Sequence, residues 1–88
     1  MNDQRILEEL LALLETQNVI IRREPLGGRG GGLVSMKGGT LFFLDTEATS
    51  ADVASLCADA VLKLVDIETI YLRPEVRLFL ESHGGSTF

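Results

Sequence analysis

A chain of 88 residues can build one hydrophobic core but not two, so residues 1–88 are read as a single domain. Its 45% hydrophobic and 24% charged residues are those of a globular protein and exclude a disordered chain. A net charge of −5 offers no electrostatic footprint for nucleic acid or an anionic membrane, and no apolar run approaches the roughly 18 residues of a membrane span.

The single cysteine, Cys57, allows no internal disulfide and fits a reducing compartment. The start, MNDQRILEELLALLE, lacks a basic n-region and a small-residue cleavage site, so no signal peptide is expected. A cytoplasmic protein is the expectation.

Asn2 or Asp3 is a helix cap, because a short side-chain oxygen accepts from the free amides of the first turn. Ile6, Leu7, Leu10, Leu11 and Leu14 recur at helical spacing and predict a helix over 4–16. Asn18 tolerates the left-handed backbone of a helix stop. Val19–Glu24 (VIIRRE) starts β-branched and ends charged, which reads as a strand running from the core to its edge. Pro25 cannot donate to a ladder and ends it.

LGGRGGG follows, with five glycines between positions 27 and 32. Backbone without side chains is either sharply bent or closely approached by something. Leu33–Lys37 and Thr40–Asp45 read as a hairpin around a Gly38-Gly39 turn. That turn predicts Met36 opposite Leu41 and Val34 opposite Phe43 on a purely apolar face, assigned to the core. The other face carries Ser35 opposite Phe42 and Leu33 opposite Leu44.

Thr49 and Asp52 have capping-box spacing, and Val53, Leu56, Cys57, Ala60, Val61 and Leu64 form the stripe of a second helix. Thr69–Leu72 (TIYL) reads as a fourth strand, making 40–72 a strand–helix–strand crossover. Pro74 opens a last helix at the position where a missing N–H costs nothing, Val76, Phe79 and Leu80 face inward, and Gly84 is the expected stop. Residues 84–88 (GGSTF) are a tail of poor element formers. The expected class is α+β (mixed α/β). It is a small four-stranded mixed sheet with three helices in the order α-β-β-β-α-β-α, containing one β-hairpin and one βαβ crossover.

Chain direction in that topology gathers Gly27, Gly28, Arg29, Gly30, Gly31, Gly32, Asp45 and Arg73 at the carboxyl edge of the sheet. Successive amides in glycine turns, helix N-termini and two arginines are a means of holding a small anion such as a phosphate or nucleotide. The same glycines also serve as a wide connection between strands. The stretch lacks GxxxxGK[ST] and precedes a strand instead of a helix, so no phosphate-loop or dinucleotide signature is present. Asp45 and Glu47 read first as turn and cap residues, and second as a cation or acid/base pair. Arg77, one turn from Arg73 and near Glu81, reads as an exposed ion pair.

Cys57 lies on a buried stripe, where a thiol is a small hydrophobe and not a nucleophile. His83 is the sole histidine, so no His/Cys metal cluster is predicted. No spacing supplies a nucleophile–base–orienter set. No catalytic residue, metal site or cofactor is assigned. Leu33, Phe42 and Leu44, on the face turned away from the expected core, need cover, either from helices split between the two faces or from a partner subunit; a homodimer joined through them is the expected partner.

REPLGGRGGGL, KGGTLFFLD and IYLRPEVRLFLE, in this order around an amphipathic helix, resemble a group of small bacterial proteins of unknown function. The resemblance implies a bacterial cytoplasmic origin and transfers no site. Two functions are expected: a non-enzymatic interaction or regulatory module that self-associates, and a small-anion binder at the glycine rim.

Overall fold

The computed structural model describes residues 2–28 and 31–85. Arg29, Gly30 and the tail residues 86–88 lie outside the described residues. The elements are helix α1 (Asp3–Glu15), strands β1 (Val19–Glu24), β2 (Gly31–Met36) and β3 (Gly39–Asp45), and helices α2 (Ser50–Leu64) and α3 (Pro74–Gly85). Asn2 caps α1 by accepting from the Arg5 amide at 2.8 Å. Asn18 takes the left-handed backbone (φ 62) that turns the chain into β1. Thr49 caps α2, accepting from the Asp52 amide at 3.1 Å. Gly84 is not a stop, since α3 runs on to Gly85.

Among the described residues the sheet has three strands in the order β1-β3-β2, with β1 parallel and β2 antiparallel to β3. The expected fourth strand at 69–72, and with it the 40–72 crossover, does not form. The backbone there spends its carbonyls elsewhere. Asp66 O accepts from the Thr69 amide and hydroxyl, at 3.1 and 2.8 Å. Arg77 Nη2 donates to Ile67 O at 2.9 Å and to Ile70 O at 3.1 Å. Leu72 still enters the core while Tyr71 points to water, so the in-out alternation is real. A strand also needs a ladder neighbour. None of the three strands pairs with this segment.

The hairpin register differs from expectation by one two-residue step. Lys37 and Gly38 make the turn, so Met36 lies opposite Gly39, Val34 opposite Leu41 and Leu33 opposite Phe42. A two-residue slip keeps every side chain on its face.

The side that is buried, however, is the reverse of the one assigned from sequence. Phe42 is fully buried, and Leu33, Leu44 and Ile21 pack against the core, whereas Val34 and Met36 are exposed. Strand β1 decides the matter. Its register sets Ile20 beside Leu41 and Arg22 beside Phe43. Burying the Val34–Met36–Leu41–Phe43 face would have buried the Arg22–Glu24 ion pair with it, and desolvating charges is costly. The Phe42 face carries only Arg23, at its rim.

All three helices stack on the Phe42 side. Helix α1 lies against β1, α2 against β2, and α3 on α1 and α2. Ala54, Ala58 and Ala60 let the helices approach closely around Leu10, Leu14, Val61, Val76 and Leu80. No helix of the described residues is long and apolar enough to cross a membrane.

Candidate functional site

Strand order fixes the task of the glycine loop. Leaving β1 and entering β2 at the far side of β3, the chain must step over the carboxyl end of the central strand. Asp45 ends that strand and is 1% exposed beneath the loop. Its Oδ1 accepts from the Leu26 amide at 2.9 Å and from the Glu47 amide at 2.8 Å. Glu47 Oε1 accepts from the Gly27 amide at 2.8 Å. The loop amides that a bound anion would use at Leu26 and Gly27 therefore already hold the chain's own carboxylates.

Gly27 and Gly28 take positive φ with space around them, as a turn requires. Gly31 is different. A Cβ there would stand 1.9 Å from the Phe43 carbonyl oxygen, so only glycine lets β2 start against β3. Gly32 lies opposite Phe43, and the space an added Cβ would take there is open.

Beside Asp45, between the ends of α1, α2 and the sheet, is a cavity of about 290 Å³, bordered by Gln4, Arg23, Leu44, Asp45, Thr46 and Ser50. Ser50 donates to Gln4 Oε1 at 2.8 Å and joins the amino ends of α1 and α2. Arg73 is not part of this rim. It pairs with Glu9 at 3.4 Å and borders a separate, mostly apolar cavity of about 250 Å³ with Ala12, Leu13, Tyr71 and Val76. The predicted gathering of Gly27, Gly28, Gly31, Gly32 and Asp45 is present; Arg73 falls outside it because the strand meant to deliver it is missing.

His83 lies between two side chains of α2, one turn apart. Ser55 Oγ is 3.1 Å and Asp59 Oδ1 3.3 Å from the same ring nitrogen, Nε2, while the ring stacks on Phe79. A proton relay needs the hydroxyl on one nitrogen and the carboxylate on the other. Here the trio fastens α3 to α2. Cys57 is fully buried and burial pushes its thiol up to about 12, which removes the thiolate a nucleophile requires. No group of three or more His, Cys, Asp or Glu side chains suited to a metal occurs among the described residues.

The expected self-association residues are not at a surface that a partner can use: Phe42 is sealed by the helices, and Leu33 and Leu44 pack beneath them. The opposite face is the open one. Ile20, Leu41 and Val34 form a row across all three strands, flanked by Met36 on one side and Phe43 on the other. Ile20 is 58%, Met36 54% and Val34 41% exposed. None of the five joins the core cluster. Sequence reasoning split the eight hairpin positions correctly into two faces of four but put the wrong four outside. The signal that finds the open face is the alignment of VIIRRE with TLFFLD, which places Arg22 and Glu24 on it.

No family model, no curated protein and no solved structure matches the chain.

Proposed function

We propose that the protein is a non-enzymatic interaction module of a bacterial cytoplasm that self-associates through the open face of its sheet. One observation carries this reading: every helix stacks on one side of the sheet, and the other side exposes Ile20, Val34 and Met36. Antiparallel sheets commonly leave one face to water, but that face is then polar. A contiguous apolar patch is instead the mark of a contact surface. The strand β1 edge is a poorer contact, because Arg22, Arg23 and Glu24 crowd it with charge.

The anion reading draws no support from the rim, where Asp45 and Glu47 occupy the amides of Leu26 and Gly27. The module reading is tested by light scattering on Met36→Glu and Ser35→Glu, neighbours on opposite faces. Met36→Glu abolishes association and Ser35→Glu leaves it intact. Equal effects of the two would overturn the reading.

A further inference from the structure

The open face is patterned so that it complements itself, which identifies its occupant. Along β3 it reads Gly39, Leu41, Phe43; along β2, running the other way, Gly32, Val34, Met36. On each strand a glycine stands at one end, a large side chain at the other, and a medium one between. The glycines leave two hollows. One, of about 360 Å³, opens at the β2 edge and is bordered by Leu26, Gly31, Gly32, Leu33, Val34 and Phe43. The other, of about 190 Å³, is bordered by Ile20, Met36, Gly38, Gly39 and Leu41.

Resting on the interaction-module reading, we infer that a second copy of this chain packs face to face on the sheet. The dyad runs across the strands, above the row Ile20–Leu41–Val34. Such an axis leaves each strand over its own counterpart and inverts its direction. Leu41 then meets the partner's Leu41. Phe43 comes over the partner's Gly39 and Met36 over the partner's Gly32, so each large side chain enters a hollow left by a glycine. Arg22 comes over the partner's Asn18 on the edge strand β1, so the Arg22–Glu24 pair, whose burial rules this face out as a core, stays at the solvent rim of the contact and no like charges meet. The other in-plane axis, along the strands, stacks Gly39 on Gly39 and Phe43 on Phe43, leaving a void beside a clash. Close packing selects the first.

Size sets the strength. Three strands about 4.8 Å apart and six residues of about 3.3 Å give a footprint of roughly 14 by 20 Å, near 280 Å². A standard interface buries about 800 Å² per partner. The dimer is therefore an exchanging one, with mass that depends on concentration.

The experiment uses the dyad itself. Leu41 lies on the central strand, which has no free edge, so it responds to face stacking and not to edge pairing. Leu41→Lys and Leu41→Glu each place like charges together in a homodimer. Each alone dimerises at least tenfold more weakly than the unmodified chain, and an equimolar mixture recovers at least tenfold, as read by sedimentation with folding followed by circular dichroism. The exposed Val34→Lys and Val34→Glu pair, read the same way and alone if either Leu41 variant unfolds, fixes the axis. Leu41 meets its counterpart about both in-plane axes, whereas Val34 meets the partner's Val34, and the mixture recovers, only about the one across the strands, with β2 amide exchange unchanged on association. Should the unmodified chain dimerise while the mixture fails to recover, the dyad is wrong and self-association uses another surface. Should the unmodified chain stay a monomer to millimolar concentration, this geometry and the module reading fall together.

Discussion

The Asp45 carboxylate accepts a hydrogen bond from the amide of Leu26, 2.9 Å away and nineteen residues earlier in the chain. That bond pins the β1–β2 connection over the end of the central strand, and the second one, from the Glu47 amide, pins the turn into α2. One buried side chain thus joins two loops.

Removing it leaves backbone amides without an acceptor. Hydrogen bonds to charged groups contribute about 1.5–3 kcal/mol each. Asp45→Ala is expected to cost about 3 kcal/mol in urea denaturation, and Asp45→Asn, which keeps an acceptor oxygen, about half as much. Equal stability of Asp45→Ala and the unmodified protein would refute the pinning role.

Two glycines of the same loop separate strain from steric exclusion. Gly28 has φ +84 and its nearest neighbour, Glu47 O, lies 3.9 Å from the position of an added Cβ. Gly28→Ala therefore carries only the left-handed backbone penalty of about 1–2 kcal/mol. Gly31→Ala adds a collision with the Phe43 carbonyl and is expected to disrupt the β2–β3 ladder, seen as loss of amide protection from Leu33 to Ser35.

On α2, Leu64 is exposed, and Ala54 and Ala58 are buried although the expected stripe omits them. Otherwise the helical stripes, the Asn18 stop and the Thr49 cap were legible in the sequence because each depends on residues within a turn or two of one another. The burial side of the hairpin was not, because it is set by β1, whose pairing with β3 spans about twenty positions. The fourth strand failed for a related reason. Ile70, Tyr71 and Leu72 alternate as a strand does, yet nothing local reveals that Arg77 takes up the carbonyls of Ile67 and Ile70. The rim of Gly27, Gly28 and Asp45 followed from chain direction alone, while Arg73 depended on the absent strand.

Arg77 therefore acts as more than a surface charge. Its links to Glu68 and Glu81 are long, 3.6 and 3.9 Å, and exposed on the acidic side. Arg77→Met, which keeps the aliphatic stem, is expected to speed amide exchange across 67–72 and cost about 1–2 kcal/mol. Glu81→Gln is expected to change stability by less than about 0.5 kcal/mol.

Cys57 gives the fold a pH dependence of definite sign. Burial raises the thiol from 9.0 to about 12, so the folded state keeps its proton where the unfolded chain releases it. Its contribution is complete below pH 9 and is lost as pH rises from 9.0 towards about 12. Denaturation at pH 8 and pH 10 is expected to show a steeper fall for the unmodified protein than for Cys57→Ala. Parallel curves would contradict the burial of the thiol.

The open sheet face remains the feature on which the functional account turns, and sedimentation equilibrium over a concentration series reads it most directly. A dimer in exchange gives a weight-average mass that climbs reversibly from that of one chain towards twice that value. A mass fixed at one chain up to millimolar concentration would contradict it.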